Sequence, residues 1–152
     1  MEEPFEVLFK KNEYKPFEYK GKIVSLADTF NVPIGKTKFV IKFEQVNSLW
    51  EQGIMIHSNE DTFSVNENEC RSGFYLWQSA SLSETEFIVK SSTGEFKVWN
   101  IWRLNNKPMQ YGHNGAALYI EEIPNGKRYY CNDGSPDDDF DDLVFTIEKV
   151  QE

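Results

Sequence analysis

Most of the chain is built from short runs that alternate apolar and polar residues and stop at Gly, Pro, Asn, Asp or Ser. This period of two is the signature of half-buried strands. The run 38–43 puts Phe39, Ile41 and Phe43 on one face. Residues 86–90, the turn residues 91–95 and the run 96–102 read as a hairpin. A second hairpin is signalled by 118–121, the turn Pro124-Asn125-Gly126-Lys127 and 128–131, because Asn-Gly tolerates the positive φ of a tight turn. The run 143–147 is apolar on both faces and suits a central strand covered on both sides. No window carries an amphipathic helical stripe between caps. The expected fold is therefore all-β, an antiparallel β-sandwich. Residues 1–20 are expected as an N-terminal arm or edge strand, and 21–152 as a single domain. With 152 residues and 15% aromatics, the chain can bury a core without disulfides or a metal.

Charge narrows the partners. Lys and Arg number 16 against 25 Asp and Glu, a net charge of -9, which argues against a nucleic-acid or anionic-membrane partner. Six of the acids lie between Asp133 and Asp142 with no base among them, and without them the net charge is -3. No apolar run is long enough for a transmembrane helix, so membrane insertion is not expected. The start, Met1-Glu2-Glu3-Pro4-Phe5-Glu6, lacks the basic and apolar regions of a secretory signal. Cytoplasmic synthesis is expected, with non-classical export or a cell-surface role left open. Cys70 and Cys131 match no zinc or redox spacing and are expected as free thiols.

The acidic decade is the candidate site. It reads Asn132-Asp133-Gly134-Ser135-Pro136-Asp137-Asp138-Asp139-Phe140-Asp141-Asp142-Leu143. A solvated acidic loop is the plainest account of such a run. Phe140 inside it, and the apolar strand that follows Asp142, argue instead that the carboxylates are anchored. Carboxylates held close must raise their pKa values or gain a cation. Hard oxygen donors at alternate positions suit calcium, which accepts 6–8 oxygens in a flexible shell. An EF-hand is excluded, because Asp142 stands where its loop needs glycine and the flanks alternate as strands.

The string Asp133-Gly134-x-x-Asp137-x-Asp139-x-x-Asp142 resembles the calcium loop of the bacterial two-calcium, fucose- and mannose-binding lectins. That loop reads Glu-Asp-Gly-x-Asp-x-Asp-x-Asn-Asp before a final strand. Phe30-Asn31-Val32-Pro33, Thr37-Lys38-Phe39 and Asn47-Ser48 match further family motifs in the same order, and the chain ends at Glu152, as far beyond the loop as the family's own terminus. The likeness runs over residues 28–152, with its motifs at the two ends and residues 53–118 unassigned.

The resemblance implies that Asp137, Asp139, Asp141 and Asp142 ligate two calcium ions, with Asn47 adding an oxygen. Asn132 stands for a glutamate ligand and Asp141 for an asparagine. Terminal Glu152 would reach the site of a neighbouring subunit, in a homodimer or larger homo-oligomer. Ser48 and Asp133 match sugar-contacting positions, as do Asp137, Asp139 and Asp142. Leu49 and Trp50 replace small residues of the loop that sets sugar preference. The implied activity is calcium-dependent binding of fucose- or mannose-type mono- or oligosaccharides, with sugar hydroxyls coordinated to the metal. The alternative is a calcium-stapled β-sandwich used in protein–protein interaction.

Other candidates are weaker. Trp77, Trp99 and Trp102 with Phe74, Tyr75 and Phe96 form either a stacking platform or core. Trp99 and Trp102 must face opposite ways in one strand, so core is expected for most of them. Trp50 is the exception, placed beside the metal loop. His57 and His113 lack ligand companions and read as structural. No nucleophile elbow, phosphate loop or HExxH is present, and the paired carboxylates crowd one loop, so catalysis is not expected.

Overall fold

The computed structural model describes residues 3–80, 84–104, 107–112, 114–135 and 139–150. Among them one α-helix, α1 (Phe5–Lys11), precedes eleven strands, with a 3-10 turn (Gln78–Ala80) after the sixth: β1 (Phe17–Tyr19), β2 (Lys22–Val24), β3 (Asp28–Asn31), β4 (Gly35–Val46), β5 (Glu51–Val65), β6 (Asn68–Trp77), β7 (Glu84–Ser91), β8 (Glu95–Arg103), β9 (Ala117–Ile123), β10 (Gly126–Asn132) and β11 (Leu143–Lys149). β1 and β2 form a small ribbon. The other nine make one antiparallel sheet in the order β3-β8-β5-β7-β4-β11-β10-β9, with β6 also on β5, curled as a half-barrel. The fold is all-β.

Inward positions recur at every second residue, as the alternation requires. Phe39 and Ile41 of β4, Phe63 of β5, Phe87 of β7, Phe96 of β8 and Phe145 of β11 meet in one cluster. Phe30 and Phe96 stack with centroids 5.0 Å apart, and Phe39 and Phe87 at 5.4 Å. β11 lies between β4 and β10 and is buried on both faces from Leu143 to Ile147. On its outer face the Arg128 guanidinium of β10 reaches across to Glu44 of β4 and also holds Glu121.

The bent strand β5 organises the barrel. Its residues 51–57 pair with β8 and its residues 62–65 pair with β7, with a register break between His57 and Thr62. β6 follows it on the other side through both halves. The turn between β5 and β6 has positive φ at Asn66 (50°) and Glu67 (68°), the pattern of a type I′ hairpin. β7 and β8 therefore do not form the expected hairpin. The Ser91–Glu95 turn is an arch that carries the chain around β5, so the two runs lie on different parts of the sheet. Buried Asp61 holds this arch. It accepts hydrogen bonds from the Ser58, Ser91, Ser92 and Thr93 hydroxyls and from the Ser92 N–H. The second expected hairpin, β9–β10, is present, with Asn125 at φ 66° in its turn.

The N-terminal residues differ from both expected forms. Phe5 and Phe9, one helical turn apart, are fully buried against Val24, Ala117 and Phe140 in a second cluster outside β9 and β10. Glu6 in the first turn and Lys10 and Lys11 in the last suit the helix dipole. Only then does the short strand β1 follow. The sheet's terminal strands, β3 and β9, are tied across the seam between them. Ser25, just before β3, exchanges both backbone hydrogen bonds with Leu118 of β9. Asp28 of β3 accepts from Lys127 Nζ at 3.0 Å and from the Tyr129 hydroxyl at 2.6 Å. Burial and the Asp28 carboxylate push the Tyr129 phenol far above its ordinary pKa. Among the described residues no helix is long and apolar enough to cross a membrane.

Candidate metal and ligand-binding cleft

Two segments far apart in sequence meet at one end of the barrel: the β4–β5 loop and the acidic loop between β10 and β11. Hydrogen bonds among the described residues join them. Asn47 Nδ2 donates to Asp141 Oδ2 at 2.8 Å, Asn47 N donates to the Asp142 carbonyl at 3.1 Å, and Ser48 Oγ donates to Asp133 Oδ2 at 2.6 Å. The sequence runs straight from these loops into paired strands, since Val46 opposes Leu143 at the last register position. The pairing of β4 with β11 therefore forces the loops together.

The acidic loop is held from inside. Asp142 Oδ2 accepts the Asp133 N–H at 2.9 Å, and Asn132 Oδ1 accepts the Phe140 N–H at 2.6 Å. Phe140, at φ 56°, is buried with its ring 5.5 Å from Phe5 and 5.1 Å from Tyr119. The anchoring expected of Phe140 is thus made by the N-terminal helix. Gly134 has no room for a side chain, because a Cβ there would sit 2.8 Å from Trp102 Cζ2. Asn114 Nδ2 donates to the Gly134 carbonyl, and Asn100 Nδ2 donates to the Asn132 carbonyl.

The anticipated site residues fall into three groups. Asn47, Ser48, Leu49, Trp50 and Asp142 line an open cleft of about 520 Å³ together with Val46 and Ser135. Asp141 joins them through Asn47, and Asp139 is exposed nearby in the loop. Asn132 and Asp133 are fully buried instead. Asp133 Oδ2 accepts from Ser48 and Gln52, and its Oδ1 accepts from Ser135 N, so this carboxylate braces the loop from below and does not face the cleft. Asp137 and Glu152 lie outside the described residues, as does His113. Among the described residues no three His, Cys, Asp or Glu side chains converge as a metal-ligand group. The donors that do gather, carboxylates and a carboxamide, are all hard oxygens, which fit calcium and not a soft metal.

Among the described residues, Trp50 is the aromatic side chain of the cleft wall. Trp50 is half-buried and stacks on Trp102, with centroids 6.5 Å apart and planes at 18°. Trp77, Trp102, Phe74 and Phe96 are buried, as expected of core, whereas Trp99 lies on the outer face of β8 and Tyr75 is half exposed. His57 shares a hydrogen bond with Asn59. Both cysteines are free, and burial, with the nearby Asp142 charge, pushes the Cys131 thiol up, keeping it protonated.

Gln52 and Asn100 lie beneath the candidate site, bonded to Asp133 and to the Asn132 carbonyl, and motif reading misses both. Their signal is a break in alternation: Gln52 and Asn100 occupy inward positions where Ile54 and Val98 continue the apolar row. Polar residues at core positions serve a buried network, here the floor of the acidic loop. Comparison with protein-family models, with curated proteins and with solved structures finds no match for this chain.

Proposed function

We propose that this protein is a non-catalytic, calcium-dependent carbohydrate-binding protein. The observation that carries this reading is the joining of the Asn47–Trp50 loop to the acidic loop, which sets the Asp142 carboxylate and an indole on one open cleft, with Asp141 joined to it through Asn47. Asp139, Asp141, Asp142 and Asn47, together with Asp137, would hold the metal. Bound calcium supplies open coordination positions that vicinal sugar hydroxyls, being neutral oxygen donors, can fill. The remaining work falls to the chain's own groups. Asp133, Gln52 and Ser48 keep the loops in register, and Trp50 offers an apolar face to the C–H side of a pyranose ring. The cleft is polar and open, which suits a hydrated ligand that keeps much of its water.

The test is isothermal titration with fucose, mannose and their methyl glycosides, with calcium and again with chelator. Heat that requires calcium is the expected result. Metal binding without any glycan response would favour the second reading, a calcium-stapled surface for another protein, for which the fully exposed Leu49 side chain beside the cleft is the specific support.

A further inference from the structure

A second pocket, of about 440 Å³, adjoins the cleft and shares four of its lining residues, Val46, Ser48, Leu49 and Trp50. It continues past Trp50 to Glu51, Gln52, Gln78, Ser79 and Arg103. Its walls are ordered. The Arg103 guanidinium pairs with Glu51 and lies 4.2 Å from the centre of the Trp77 ring. Ser79 Oγ donates to Glu51 at 2.7 Å, and the Arg103 hydrogen bond first, with the Ser79 bond assisting against burial, holds the Glu51 carboxyl below its usual range.

Gln52 marks this pocket as a site for a ligand. It is 1% exposed, and its Oε1 is buried without a hydrogen-bond partner. Its Nε2 donates to Asp133 Oδ2 at 3.0 Å and to the Trp50 carbonyl at 3.2 Å. Both partners are acceptors only, so the amide cannot be turned over without setting oxygen against oxygen. The orphan is therefore an acceptor, left without a donor among the described groups of the protein. A buried carbonyl left in this state costs stability, which a fold keeps where a ligand or water repays it.

We infer that the pocket beyond Trp50 is a second sugar subsite, so that the protein takes an oligosaccharide whose first residue lies in the acidic cleft and whose second offers a hydroxyl to Gln52 Oε1. The inference rests on the carbohydrate reading above. Trp50 separates the two subsites and can contact both residues. Arg103 is held by Glu51 and Trp77, so it forms a fixed wall, and selection in this subsite falls to the donor that Gln52 requires.

The experiment is titration of the calcium-loaded protein with methyl α-mannoside and methyl α-fucoside, and with the disaccharides that extend each by one residue. At least one disaccharide is expected to bind ~10-fold more tightly than its own monosaccharide, the scale of one good buried hydrogen bond. Gln52→Leu should abolish that gain. Because Gln52 also braces Asp133, a second variant tests the same space from the surface: Ser79→Trp fills the pocket and should remove the gain alone. Equal affinity for mono- and disaccharides in the parent protein overturns the subsite while leaving the lectin reading intact. A disaccharide gain that survives both variants also overturns it. No binding of either sugar class overturns the lectin reading, and the subsite with it.

Discussion

Asp61 shows what a buried carboxylate does when its partners are all neutral donors. Burial raises its pKa, but the Ser92 N–H and the Ser58, Ser91 and Thr93 hydroxyls outweigh burial and bring it down to about 2. A carboxyl with a folded pKa below its unfolded value stabilises the protein above about pH 4 and loses that contribution as pH falls toward 2. Asp61→Asn is therefore expected to cost ~2 kcal/mol at pH 7 in urea denaturation. The gap between parent and variant should narrow from pH 4 to pH 2, because the parent loses what the variant already lacks. A gap independent of pH would mean that the arch depends on shape and not on charge. At this scale the sequence was legible where residue types cluster and opaque where they are single. The aspartate decade stood out, and Phe140 within it pointed to an anchored loop. Asp61, Gln52 and Asn100 did not, since one polar residue in an apolar row acquires meaning only from the strand that faces it.

Strands with clear alternation were legible one by one, and their pairing was legible only where a turn left a single choice. Pro124-Asn125 joins β9 to β10 directly, and that hairpin follows from its sequence. Ser91–Glu95 has equally good turn residues, yet β7 and β8 part company, because β5 is long enough to pair with both. Nothing local in the turn encodes that third strand. The β5–β6 turn was invisible for a different reason, since Asn66-Glu67 adopts the twist of a primed turn without the glycine that advertises it. Helix α1 spans only Phe5–Lys11, too short to show a periodic stripe, and its stability comes from docking Phe5 and Phe9. Through Phe5 the helix holds Phe140, and through Phe140 the acidic loop. Phe140→Ala is expected to cost roughly 3–5 kcal/mol and to weaken calcium binding, read by urea denaturation and by calcium titration of the folded variant. A loss of stability with unchanged calcium affinity would show that the loop keeps its form without this anchor.

For the molecule as a whole, the two loops that build the cleft are set by the pairing of β4 with β11, so a cation that bridges them should stabilise the entire fold. Calcium at 100 times its dissociation constant is expected to add ~2.7 kcal/mol. That raises Tm by roughly 5–10 °C in a chain of this length, and chelator should reverse it. Scanning calorimetry with calcium, magnesium and chelator checks this, and an unchanged Tm would count against a metal in the cleft. The all-β class was legible from alternation throughout, whereas the closure of the sheet was not, because the ties between Ser25 and Leu118 and between Asp28 and Lys127 join residues that share no motif.

The bend in β5 carries a consequence for how the molecule comes apart. One strand serves as the backbone partner of β8 at its start and of β7 at its end, so neither part of the barrel has a complete set of hydrogen bonds without it. Opening either part strips a side of the same strand and exposes the aromatic core shared by both. Slow amide exchange in β3, β8, β7 and β4 should then report a single free energy, that of global unfolding, in place of two separable cooperative units.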